Sequence, residues 1–119
     1  MYKRLAFAAT FSVCLATPAL ADQLIDEYFS SMQFVVDTAN QLGEPCVDSL
    51  AGDSGESTPQ CRSFEQAYAI VLDESDRLNQ GMRDAQRGLP ANDPRLAKLQ
   101  ADTERLNGYM DEYHRYLGD

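Results

Sequence analysis

Cys46 and Cys61 are the residues of this chain best suited to chemistry. A thiol pair can serve as a redox centre, as metal ligands or as a structural bridge. Their separation of about 15 residues is too wide for a Cys-x-x-Cys redox motif, and a zinc site needs further ligands close by. A disulfide is the expectation, and closing a loop of about 15 residues contributes roughly 3 kcal/mol in the chain-entropy account. Cys14 lies apart, near the start of the chain.

The remaining candidates for chemistry are sparse. His114 is the only histidine, with Asp111 three residues before it. One imidazole and one carboxylate seldom hold a transition metal without other ligands. Met32, Met82 and Met110 are soft ligands by type, but thioethers at helical spacing mainly fill cores. Asp48, Asp53 and Glu56 lack the alternating acids and terminal glutamate of a calcium loop. No residue set nominates a nucleophile or an acid–base pair. The expectation is therefore a non-enzyme with no catalytic residue, metal ligand or cofactor.

Residues suited to protein contact are easier to find. Phe34 falls off the apolar stripe of its segment, and Tyr109 and Tyr116, seven apart, share one helix edge with Glu112 between them. Aromatic side chains on a helix edge are a common contact type in protein interfaces. Gly108 sits on the polar side of the same segment, where it costs about 1 kcal/mol relative to alanine.

The elements that position these residues begin after a leader. Lys3 and Arg4 precede an uncharged apolar run, and Ala19 and Ala21 stand where a signal peptidase reads small side chains. That tripartite pattern predicts a cleaved secretory signal over residues 1–21 and a periplasmic or secreted protein. The apolar run is too short for the roughly 20 residues of a membrane span, so no stable insertion is expected after cleavage. An exported compartment also suits a disulfide.

Residues 22–119 form one predicted domain with three helical segments. Ile25, Tyr28, Met32, Val35, Ala39 and Leu42 line one face of the first, about 22–42, with Gly43 and Pro45 as its stop. The second, about 63–87, opens on a Ser63/Gln66 capping box and carries Phe64, Tyr68, Val71, Ser75, Leu78, Met82 and Ala85, with Gly88 ending it and Leu89 folding back on its last turn. The third, about 94–117, opens on Asp93-Pro94 and carries Leu96, Leu99, Thr103, Leu106, Met110, Tyr113 and Leu117. Only Ser75 and Thr103 interrupt the apolar stripes. Helices dry on one face must pack together.

The expected fold is all-α: an up-down-up three-helix bundle with a disulfide-strapped loop over 43–62. The runner-up is a helical hairpin that dimerises, with the first helix packed across it. The 43–62 loop reads either as a structural strap or as a presented binding loop.

The ending Tyr109-Met110-Asp111-Glu112-Tyr113-His114-Arg115-Tyr116 resembles the last helix of the periplasmic cytochrome b562 family. The resemblance covers about a dozen residues. It implies a haem-binding bundle with His114 and Met32 as ligands, and with the Asp111/His114 pair it makes a haem- or metal-binding bundle in the periplasm the alternative expectation. That family uses four helices to bring its ligands together, and three are counted here.

The formal net charge is −9, and loss of Lys3 and Arg4 with the leader makes it more negative. So acidic a chain repels nucleic acid and anionic lipid and attracts basic partners. The expected function is binding to another protein, basic in character, as an inhibitor, immunity protein, adaptor or chaperone.

Overall fold

A computed structural model of the chain describes residues 18–50 and 56–118. Residues 1–17, which hold most of the expected leader, lie outside the described residues, as do Asp53 and the middle of the connection after the first helix.

Among the described residues, three helices account for the architecture: α1 (Pro18–Asp48), α2 (Pro59–Asp84) and α3 (Pro94–Leu117). No strand occurs among the described residues. The molecule measures 55 × 22 × 20 Å, so the helices run along its long axis. None of them is long and apolar enough to cross a membrane.

The up-down-up order is fixed by a few contacts. Tyr28 donates to Asn79 Oδ1 at 2.9 Å and Cys46 bonds to Cys61, so α1 and α2 run antiparallel in one constant register. Asp26 meets Arg95 and Gln33 donates to Asp102, so α1 and α3 run parallel. Tyr68 donates to Asn107 at 2.8 Å, tying α2 to α3.

α1 packs against both α2 and α3. It therefore buries a wider face than a single stripe supplies. Phe29 and Val36 join Tyr28, Met32 and Ala39 in the core, while Ile25, Val35 and Leu42 are only partly covered. The stripes of α2 and α3 are buried as read from Phe64 to Met82 and from Leu96 to Tyr113. Ala85 and Leu117 are partly covered at the helix ends. Leu89 does fold in, at 3% exposure.

The boundaries of the first two helices differ from the sequence reading. α1 does not stop at Gly43 and Pro45 but continues to Asp48. Pro45 is exposed, so the hydrogen bond its ring removes lies on the solvent side, while the extra turn buries Cys46 completely. The helix ends where Ser49 N–H donates to the Pro45 and Cys46 carbonyls and Ser49 Oγ donates to Cys46 O at 2.6 Å.

α2 starts not at Ser63 but at Pro59. Thr58 caps it by accepting from Cys61 N–H at 3.1 Å, and the proline occupies the first turn, where a missing N–H is harmless. Its end lies before Gly88. Gln86 takes the left-handed conformation (φ 55°), with Gln86 N–H donating to Arg83 O and Arg87 N–H to Met82 O. That pair of bonds is a Schellman closure. α3 matches the sequence reading at both ends, capped by Asp93 and closed by Gly118 at φ 87°.

Candidate functional site

The disulfide is present, with an S–S distance of 1.95 Å and Cα atoms 4.3 Å apart. Both cysteines are wholly buried and both belong to helices. The bond therefore staples the last turn of α1 to the first turn of α2 and closes the connection over 49–58. Hydroxyls surround this end of the bundle. Ser49 Oγ lies 2.6 Å from Thr58 Oγ1, and Tyr113 donates to Ser57 Oγ at 2.7 Å. Burial, followed by the neighbouring Glu65 carboxylate, raises the Tyr113 hydroxyl above its usual range.

The proposed tyrosine edge is partly spent on internal packing. Gly43 is buried in α1, and the Tyr109 ring lies directly on it: a Cβ there would stand 2.8 Å from Tyr109 Cγ. The same ring meets Phe64 edge-on, with centroids 6.4 Å apart. Tyr116 is half-buried, and Glu112 alone of the three is exposed. Nothing lies within 4 Å of a Cβ placed on Gly108, which faces open space.

Met32, Met82 and Met110 are all core residues. The parallel register of α1 and α3 sets Met32 near the level of Ala101, roughly 20 Å along the axis from His114 at 1.5 Å per residue. The two residues named by the cytochrome resemblance do not meet. His114 is half-buried, its ring 5.7 Å from that of Tyr113. Among the described residues no group of three or more His, Cys, Asp or Glu side chains is placed to hold a metal ion.

Phe34 is different. It is 72% exposed, and Ile70 on α2 is 57% exposed; these are the large apolar side chains that stand in solvent among the described residues. Their relative position follows from the Glu27–Arg77 ion pair, which bridges the outer side of the α1–α2 groove at 3.9 Å. Phe34 lies seven residues after Glu27, and Ile70 seven before Arg77. Seven residues are close to two helical turns, and the helices are antiparallel, so both advances run the same way. Phe34 and Ile70 therefore stand on the same outer side of the α1–α2 pair, about two turns from the ion pair.

Toward the other end of this groove, at the ion pair itself, is a dimple of about 110 Å³ lined by Leu24, Tyr28, Leu78, Gly81 and Met82 together with Glu27 and Arg77. Gly81 has nothing within 4 Å of a would-be Cβ, so the dimple is open above it. Burial, partly offset by the bond to Asn79, pushes the Tyr28 hydroxyl up to about 12. Glu74 engages Arg77 from within α2, and Asp73 is exposed one turn after Ile70.

Ile70 is the residue the sequence reading missed. Its signal was present: a Cys46–Cys61 bond between antiparallel helices sets the register that brings Ile70 level with α1 near Phe34. Compared with protein-family models, curated proteins and solved structures, the chain matches none.

Proposed function

We propose that this is a small exported helical protein that acts by binding another protein, not by catalysis. The observation that carries the reading is the exposure of Phe34, an aromatic left in solvent on a helix that buries Tyr28, Phe29, Met32 and Val36. Large exposed apolar side chains grouped on one face are typical of contact surfaces. The leader pattern over residues 1–21 and the disulfide support a periplasmic or secreted setting. The net charge of −9 favours a basic partner by steering its approach. Inhibitor, immunity protein, adaptor and chaperone are the roles that suit such a molecule.

The test is site-specific photo-crosslinking in an export-competent host. A photoreactive phenylalanine at position 34 is compared with one at Ala101, an exposed position on α3. A discrete protein adduct from position 34 and none from 101 supports the reading. The same pattern of adducts from both positions, or none from either, counts against it.

A further inference from the structure

We infer that the outer groove between α1 and α2 receives an amphipathic, cationic helical segment of another protein. This rests on the binding reading above and specifies its site and partner chemistry.

The groove has the features a helix needs. Its walls are set by an antiparallel helix pair, and a third helix packs into such a channel by seating side chains between the ridges. The channel offers two apolar stations: the dimple, where Leu24, Leu78 and Met82 form the floor and Glu27 and Arg77 the rim, and the exposed side chains of Phe34 and Ile70. They lie two to three turns apart, so apolar side chains at helical spacing on one face of the incoming segment reach both.

Charge selects the sign of the polar face. Glu27 and Glu74 bracket Arg77 at the rim of the dimple, and Asp73 flanks Ile70. Arg77 is thus already held by two carboxylates, leaving local charge negative within a chain of net charge −9. Lysine and arginine on the segment complement that field. A second copy of this chain would bring two such negative fields together, which disfavours it as the occupant.

The test uses two labelled synthetic peptides of about 18 residues, roughly 27 Å of helix. One is built from leucine and lysine at helical spacing; the other carries alanine at the leucine positions and the same charge. Binding to the disulfide-bonded protein is followed by fluorescence anisotropy. The leucine peptide is expected to bind at least tenfold more tightly than the alanine peptide, and a Phe34→Ala/Ile70→Ala protein to lose at least tenfold toward it, as for truncated interface anchors. Both positions are exposed, so circular dichroism of the double variant should match the wild type. Equal binding of the two peptides, or undiminished binding by the variant, would overturn the inference. So would sedimentation as a dimer that the double variant dissolves, since the groove then belongs to a second copy. A discrete crosslink from position 34 without peptide binding removes only this inference; loss of both removes the binding reading as well.

Discussion

The ring of Tyr109 occupies the space that a side chain at Gly43 would fill, with Cγ 2.8 Å from the position of a Cβ. Glycine inside a helix costs about 1 kcal/mol relative to alanine, so this close approach explains an otherwise unfavourable residue. It joins α1 to α3 near the stapled end of the bundle and brings the ring edge-on to Phe64 of α2.

Gly43→Ala is therefore expected to destabilise the fold by about 1–3 kcal/mol, although alanine is the better helix former. In a Tyr109→Ala background the same change should become neutral or stabilising. Chemical denaturation of the four proteins of this cycle checks it, and additive effects would show that the two residues do not share the space.

Gly108 gives the opposite expectation. It lies within α3, and a Cβ there meets nothing. Gly108→Ala should raise stability by about 0.5–1 kcal/mol, read as an increase in denaturation midpoint with unchanged slope.

Thr103 is 3% exposed, and its hydroxyl has no hydrogen-bond partner among the described residues. Thr103→Val keeps the shape and removes the uncompensated polar atom. A gain of about 1 kcal/mol is expected on thermal melting. A loss of similar size would mean that the hydroxyl is satisfied in solution.

Tyr28 supplies a pH dependence. Burial holds its hydroxyl neutral up to about 12, against about 10 for an exposed tyrosine. Its folded value is the higher one, so this stabilisation is complete below pH about 10 and is lost as the pH rises to about 12. The full loss is on the order of 2–3 kcal/mol. Tyr28→Phe should flatten the alkaline limb of a stability–pH curve measured from pH 9 to 12.

Breaking the staple with Cys46→Ala/Cys61→Ala should cost about 3 kcal/mol and lower Tm by roughly 10–25 °C. The helices themselves are expected to survive, because the apolar stripes still pack.

The three helices and most of the core were legible in the sequence because periodicity reports burial directly. α3 was read to its ends: Asp93-Pro94 is a local signal with a local consequence, and the apolar stripe runs to Leu117. Thr58-Pro59 is the same kind of signal, but it sits in a turn-rich stretch, and the sequence reading took only the later Ser63/Gln66 pair as the start. The end of α1 was misread for a different reason. Gly43 and Pro45 are stop signals for an isolated helix, whereas here the next turn delivers Cys46 to its partner and Gly43 admits Tyr109. Tertiary contact outweighed local preference. The α1–α2 groove was half legible: Phe34 stands off its own stripe, but pairing it with Ile70 requires the register between two helices.

The position of the staple gives the molecule a direction. Because Cys46 and Cys61 weld α1 to α2 at one end, transient separation of these helices resembles the opening of tongs, least at the pivot and widest near Leu24 and Met82. Amide hydrogens near the pivot then exchange only through complete unfolding, and those toward the tips through smaller excursions, so protection should fall steadily along the pair. The dimple lies at the yielding end and the Phe34–Ile70 pair nearer the pivot. A visiting helix would meet a firm foothold at one station and an adaptable one at the other.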